Sequence, residues 1–243
     1  NCKSLKGLLK MASEHSYKEY DLELEAVRAK VLKMGGLVEE NILSAIESLK
    51  KDDVDLANKV IKIDEKVNGL EMEIDEDASR IIAKRQPAAG DLRMIITILK
   101  AITDLERIGD EATKIARTAI RVNENPNIKK IKIGEIKLMV EAVHSMLKTV
   151  LDSFARLDIS KTIEIAKKDE AVDDQYRATI RELLTYMLED SKAISVSLEL
   201  LVVVKALERI GDHCKNISEH IVYAVKGADI RHSTIKEIKK TIA

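Results

Sequence analysis

The sequence predicts an all-α protein, built as a tandem repeat of two antiparallel three-helix bundles with six long helices in an elongated molecule. Its 243 residues include only 2 Pro and 9 Gly, which leaves little room for hairpins and tight turns. Hydrophobic residues make up 45% and charged residues 34%, a balance typical of long amphipathic helices. The aromatic fraction is 2% and Trp is absent, so the core must be built from aliphatic side chains and Met.

Three helices are predicted before the midpoint, because apolar side chains recur there at helical spacing. Asp52 or Asp53 can cap the second helix, and Asp91 can cap the third. Pro87 and Gly90 break the chain between these two helices. The predicted ranges are about 22–51, about 54–85 and about 91–121.

Three further helices are predicted after the segment around Pro126, the one convincing linker in the sequence. Asp158 can cap the fifth helix, and Gly227 is the expected stop of the sixth. The predicted ranges are about 133–157, about 159–189 and about 191–226. The predicted division is an extension at 1–21 (with Met11 as a candidate natural start), a first bundle at 22–122, a linker at 123–131, a second bundle at 132–228 and a tail at 229–243.

An internal repeat supports this division. The six residues 105–110, Leu-Glu-Arg-Ile-Gly-Asp, recur letter for letter at 207–212, an offset of 102. Asp64-Glu65 with Val67 recurs at 169–172, an offset of 105. Identical six-residue stretches on the third helix of each half indicate that the chain contains two copies of one bundle.

The repeated stretches carry paired carboxylates. Glu106 and Asp110 lie four residues apart, so both project from one face of a helix. Like charges at this spacing repel, and an opposing basic side chain or a metal ion would relieve the repulsion. Oxygen ligands of this kind suit hard cations such as Mg²⁺, Mn²⁺ or iron. The candidate ligands are Glu106, Asp110, Asp64, Asn68 and Glu71 in the first half, and Glu208, Asp212, Asp169 and Asp173 in the second, where Tyr176 replaces the glutamate. The alternative is an ion-pair network of Arg107 or Arg209 that fixes helix packing.

Other features exclude several classes of function. The 41 basic and 42 acidic side chains give a net charge of −1, which provides no electrostatic footprint for nucleic acid. No apolar run approaches the roughly 20 residues needed to span a bilayer. Cys2 and Cys214 lack CxxC spacing and are expected to be reduced, which favours the cytoplasm. Di-iron bundles use a Glu-x-x-His element on each of two helices, and the sequence has a single one, at 141–144. His213 is expected to be solvated or packed, and no catalytic residue is assigned.

The chain resembles the PhoU family of bacterial phosphate-transport accessory proteins. The resemblance rests on Arg85-Gln86-Pro87-Ala88-Ala89-Gly90-Asp91-Leu92-Arg93 and on the repeated Glu-Arg-Ile-Gly-Asp at 106–110 and 208–212. Supporting stretches lie at 31–39, 184–191 and 223–227, and the match spans about Leu22 to His232.

The resemblance implies a cytoplasmic negative regulator of the phosphate-starvation response and of phosphate uptake. Such a protein would link the ATPase subunit of a phosphate ABC transporter to a sensor histidine kinase, at the inner face of the membrane through its partners, and would form a homodimer. The resemblance also implies metal ions (Fe, Mn, Mg or Zn) at pairs of the form Glu/Asp-x-x-x-Asp, which here are Glu106 with Asp110, Glu208 with Asp212, and Asp169 with Asp173. Asp64 with Asn68 departs from that pattern, so two unequal sites are expected. The alternatives are a metal-dependent enzyme and a structural helical adaptor.

Overall fold

The described fold consists of helices alone. The computed structural model describes residues 2–125 and 136–242, with side chains from Glu19 onward within those ranges. No β-strand occurs among these residues, which confirms the predicted all-α class. The helices are α1 (Cys2–Lys51), α2 (Val54–Arg85), α3 (Ala89–Glu124), α4 (Lys137–Arg156), α5 (Thr162–Glu189), α6 (Ile194–Lys226) and α7 (Ile235–Ile242), with a 3₁₀ turn at Ser191–Ala193 between α5 and α6.

The junctions around α2 show how the chain turns. The Asp53 carboxylate caps α2 by accepting from the Leu56 amide at 2.9 Å, as one of the two predicted caps. The prediction that Asp91 caps α3 is wrong, because α3 begins at Ala89 and Asp91 lies in its first turn. Ala88 takes the cap position in extended backbone, without a side-chain cap, directly after Pro87. The carboxylate of Asp91 is still favourable there, close to the positive end of the helix dipole.

Both ends of the chain hold more helix than the sequence predicts. The first helix begins at Cys2 rather than near Leu22, so α1 runs through the predicted N-terminal extension. The predicted tail contains α7, whose Ile238 packs on Ile230 and Val222. The predicted start of α4 at about residue 133 and most of the predicted linker lie outside the described residues.

The two halves meet where α3 packs against α6 and where α1 crosses α4. A β-carbon on Gly35 would lie 2.3 Å from Leu151 Cδ2, so any side chain there would displace Leu151 where α1 crosses α4. The buried aliphatic core runs continuously through both halves. Among the described residues, no helix combines the length and apolarity needed to cross a membrane.

Candidate functional site

The predicted ligands of the first half lie together where α2 faces α3. A β-carbon on Gly109 would lie 3.0 Å from Asp64 Oδ1 and 3.5 Å from Val67 Cγ1, so the missing side chain brings the two helices close together. Carboxylates from both helices then influence one another. We call Asp64, Asn68, Glu71, Glu106 and Asp110 the first cluster.

Burial and mutual repulsion shape the charges of the first cluster. Burial and the neighbouring Asp110 carboxylate raise the pKa of Asp64, and Arg117 opposes this rise. The pKa of Glu106 is raised by burial and by the carboxylates of Asp110, Glu71 and Asp64. Burial also raises the pKa of Glu71. The four carboxylates therefore form an anionic centre that a cation would stabilise.

Several polar atoms of this region have no partner. Asp64 Oδ1, Asn68 Oδ1 and the hydroxyl of Thr113 are buried and make no hydrogen bond. Thr113 is only 3% exposed, and its hydroxyl lies near enough to Asp64 to lower the pKa of that carboxyl, although the contact lacks the geometry of a hydrogen bond. Within the described part of the chain, no Lys, Arg or His nitrogen lies within 4.0 Å of the four carboxylates. Buried oxygen atoms without donors are unfavourable, and a bound cation would satisfy them.

The matching residues of the second half form a different arrangement. We call Asp169, Asp173, Tyr176, Glu208 and Asp212 the second cluster. A β-carbon on Gly211 would lie 3.5 Å from Asp169 Oδ1, so α5 and α6 also approach closely here. Three of the four carboxylates have basic partners: Lys215 with Asp169 at 2.8 Å, Lys205 with Glu208 at 2.6 Å, and Arg177 with Asp173 at 3.5 Å.

The two clusters differ in how well they fit a metal ion. Over the residues described, no three Asp, Glu, His or Cys side chains already form a group that could hold one. The first cluster nevertheless offers unpaired buried oxygens of the type that hard cations bind. In the second cluster, lysine ammonium groups already contact the carboxylates of Asp169 and Glu208.

The packing alternative concerns Arg107 or Arg209. Arg107 opposes the rise in the pKa of Glu71 and Glu106 in the first cluster without an ion pair among the described residues, whereas Arg209 pairs elsewhere. Arg209 Nε lies 3.0 Å from Glu111 Oε1, and Lys114 Nζ lies 2.8 Å from the same oxygen. Glu111 is only 2% exposed. Arg209 therefore ties α6 to α3 across the two halves, and its partner lies outside both clusters.

A buried polar cluster between α3 and α6 escaped the sequence analysis. Asp104 Oδ1 lies 2.8 Å from His213 Nδ1 and accepts from Asn216 at 3.3 Å, and Asp104 Oδ2 lies 3.1 Å from His220 Nε2. His213 is thus packed, one of the two outcomes expected for it. The only sequence signal is the spacing of His213 and His220, seven residues apart on one helix face.

An exposed apolar surface on α5 and α6 was also not predicted from the sequence. In the first half, α1 lies along the end of α2, where Arg85 pairs with Glu23 at 3.0 Å. In the second half, the described part of the corresponding helix, α4, is Lys137–Arg156. The corresponding end of α5 and α6 exposes large apolar side chains: Leu184, Leu188, Ile194, Leu198 and Val202.

Comparisons with known proteins agree with the repeat. The PhoU domain family model matches the chain twice, over residues 31–119 and 136–221. The chain is 44% identical over 226 residues to the phosphate-specific transport system accessory protein PhoU homolog of Pseudomonas putida, covering 93% of this chain and 88% of that one. It is 43% identical over 231 residues to phosphate-specific transport system accessory protein PhoU of Escherichia coli K12, covering 95% of each.

Solved structures give the same result. The crystal structure of PhoU from Pseudomonas aeruginosa superposes with a TM-score of 0.82 at 45% identity, covering 86% of this chain and all of that one. The phosphate transport system regulatory protein PhoU from Streptococcus pneumoniae superposes with a TM-score of 0.79 at 31% identity, covering 86% of this chain and 98% of that one.

Proposed function

The chain belongs to the PhoU family, and from that premise we propose that it is a non-enzymatic regulator of phosphate uptake and a repressor of the phosphate-starvation response. The observation that carries the proposal is the identity of 43% with a phosphate-transport accessory protein, over 95% of both chains. Similarity along nearly the whole length supports a shared role better than a shared fold would. The Streptococcus pneumoniae relative is also named as a regulatory protein of phosphate transport.

The proposed partners are the ATPase subunit of a phosphate ABC transporter and a phosphate-responsive sensor histidine kinase. The protein would act from the cytoplasm as a homodimer and reach the inner face of the membrane through these partners. The exposed apolar side chains at the α5–α6 end support a role through protein contacts, because such patches commonly mark interaction surfaces. We propose no catalytic step, since the relatives are named as accessory and regulatory proteins.

A bound cation forms part of the proposal. Asp64, Glu106 and Asp110 would hold it, with Glu71 and the amide oxygen of Asn68 completing an oxygen shell. Mn²⁺, Mg²⁺, iron or Zn²⁺ would supply positive charge that offsets the mutual repulsion of these carboxylates. Asp64 and Asn68 lie on α2, whereas Glu106 and Asp110 lie on α3. Binding would therefore link the two helices.

Deletion of the gene tests the regulatory role. In phosphate-rich medium, we expect the deletion strain to express phosphate-scavenging phosphatase at a high level, and the restored wild-type gene to repress it. Low phosphatase activity without the gene would contradict the proposal. It would leave the structural-adaptor alternative.

A second complementation tests the cation. Glu106→Gln with Asp110→Asn keeps the shape of both side chains and removes their charges. We expect this variant to be folded and to restore repression less well than wild type. Full repression would exclude a regulatory role for the cation. Metal-dependent turnover by the purified protein would instead favour the enzyme alternative.

A further inference from the structure

The second cluster differs from the first at two positions that face the carboxylates. With the offset of 102 residues that relates α3 to α6, Thr103 corresponds to Lys205 and Thr113 corresponds to Lys215. The first half thus has a threonine at each of these two positions, and the second half has a lysine. Both lysines contact the carboxylates of their own cluster.

Lys215 contacts the buried carboxylate of the second cluster. Its Nζ donates to Asp169 Oδ2 at 2.8 Å, and Asp169 is only 3% exposed. The ammonium group of Lys215 therefore places a positive charge directly against the Asp169 carboxylate.

Lys205 binds the other side of the cluster. Its Nζ donates to both carboxylate oxygens of Glu208, at 2.7 and 2.6 Å. The same nitrogen lies 5.2 Å from the centre of the Tyr176 ring, a distance typical of a cation–π contact. Tyr176 stands where the first half has Glu71, under the offset of 105. Tyr176 replaces a carboxylate at this position by a surface for an ammonium group, while Asp173 in place of Asn68 keeps the number of carboxylates at four.

We infer that Lys205 and Lys215 are the cations of the second cluster, and that this cluster takes no metal ion. Metal binding is confined to the first cluster, where Thr103 and Thr113 leave the carboxylates without basic partners. The inference rests on the proposed cation of the first cluster for its contrast, but it concerns the second cluster's own residues. The two repeats thus stabilise equivalent helix pairs in different ways.

A metal ion at the second cluster would have to displace these ammonium groups. Displacement would leave Lys215 partly buried beside a divalent ion, without its carboxylate partner. The two ammonium groups already contact carboxylate oxygens that a metal ion would need, so the ion would have to compete with existing ion pairs. In the first cluster Arg107 and Arg117 act on the carboxylates electrostatically, but among the described residues neither forms an ion pair with them.

Mn²⁺ binding to the purified, metal-stripped full chain tests the inference. Bound Mn²⁺ is counted by loss of the electron paramagnetic resonance signal of free Mn²⁺ and by elemental analysis after dialysis. Relative to wild type, we expect the double variant Glu106→Gln with Asp110→Asn to bind at least about tenfold less Mn²⁺. We expect Glu208→Gln with Asp212→Asn, the matched control, to change it by less than about twofold. Loss of binding in this second variant would overturn the inference.

Exchange of the two positions provides the reciprocal test. Lys205→Thr with Lys215→Thr gives the second cluster the two threonines of the first, and we expect bound Mn²⁺ per chain to rise by about twofold. Thr103→Lys with Thr113→Lys should abolish binding at the first cluster. Circular dichroism checks that each variant is helical. If one double variant does not fold, Glu208→Gln with Asp212→Asn still tests whether the second cluster binds Mn²⁺ while Lys205 and Lys215 are present.

Failure of the proposed cation can be distinguished from failure of this inference. If wild type binds no Mn²⁺, the proposed cation of the first cluster is wrong, and the lysine variant alone decides the inference. Binding gained by Lys205→Thr with Lys215→Thr would support it even then. No gain in that folded variant would overturn it.

Discussion

Asp64 Oδ1 lies 3.0 Å from the position that a β-carbon on Gly109 would occupy. The equivalent distance in the second half, from Gly211 to Asp169 Oδ1, is 3.5 Å. Ordinary van der Waals contact allows a β-carbon at the second distance, whereas at the first the carboxylate must move by a few tenths of an ångström. Alanine at Gly109 would therefore have to displace the Asp64 carboxylate, whereas alanine at Gly211 would not displace Asp169.

Alanine at the two glycines should have different effects. Alanine in a helix interior is favoured over glycine by up to about 1 kcal/mol, so Gly211→Ala should stabilise the protein by roughly that amount. Gly109→Ala should give no gain or a small loss, because it displaces Asp64, and it should weaken Mn²⁺ binding. Urea unfolding and Mn²⁺ titration measure both effects. Equal stabilisation by the two variants would show that Asp64 moves freely.

Alanine substitutions at Gly35 and Gly36, where α1 crosses α4, should have opposite effects on stability. A β-carbon on Gly35 would lie 2.3 Å from Leu151 Cδ2, whereas one on the adjacent Gly36 would meet nothing within 4 Å. Gly35→Ala should therefore destabilise the fold by about 1–3 kcal/mol through overpacking. Gly36→Ala should stabilise it by up to about 1 kcal/mol. Thermal unfolding measures this order, and Leu151→Ala should relieve the loss at Gly35. A Gly35→Ala protein as stable as Gly36→Ala would contradict the close crossing.

The buried carboxylate between α3 and α6 should stabilise the contact between the halves. Removing it by Asp104→Ala leaves the donors on His213, Asn216 and His220 without their acceptor, at a cost of roughly 3 kcal/mol. Asp152→Ala, at an exposed ion pair with Arg156, should cost less than about 1 kcal/mol. Denaturant unfolding at neutral pH measures both. Similar small losses would show that the Asp104 cluster contributes little.

Acid should weaken the same contact. Burial alone would raise the pKa of Asp104, but hydrogen bonds from His213, His220 and Asn216 hold it below its usual 3.8. A lowered pKa in the folded state contributes stability above 3.8, and this contribution is lost as the pH falls further. Asp104→Asn should therefore flatten the acid limb of the stability curve below this pH. An unchanged acid limb would show that protonation of groups other than Asp104 causes the loss of stability in acid.

Ionisation of Glu219 should make the protein less stable as the pH rises, which is the opposite of the effect of Asp104. It is 5% exposed, and burial raises its pKa from 4.5 to about 7, with Lys215 opposing the rise. A raised carboxyl pKa means that ionisation disfavours the folded state, so stability falls as the pH rises from 4.5 to about 7. Glu219→Gln should stabilise the protein at pH 8 by on the order of 3 kcal/mol and have little effect at pH 4.

The control for Glu219 is the exposed Glu141, which is replaced in the same way. Its carboxylate pairs only with Lys137 at 3.7 Å, and 60% of its side chain is accessible. We expect Glu141→Gln to change the unfolding free energy by less than about 0.5 kcal/mol at either pH. A Glu219→Gln effect that does not depend on pH would reflect packing rather than ionisation.

Much of the architecture followed from local sequence patterns. Helical periodicity and the Asp53 cap depend only on neighbouring residues, so α2 was predicted within a residue or two of its observed ends. Helix starts were predicted less well where the determinant was remote or weak. The helix α1 begins at Cys2, and no capping residue or helix breaker in the sequence marks that start. The helix α3 follows extended backbone at Ala88, which provides no side-chain cap.

The sequence by itself determined that the chain is a duplicated helical bundle and that Glu106 with Asp110, and Glu208 with Asp212, share helix faces. Both conclusions follow from helix geometry, which is the same in any tertiary setting. Only the tertiary structure decided which cations reach those faces. Lys205 and Lys215 lie beside carboxylates, whereas Thr103 and Thr113 do not provide a charge. Contacts between side chains on different helices depend on the rotation and separation of those helices, which no local pattern specifies.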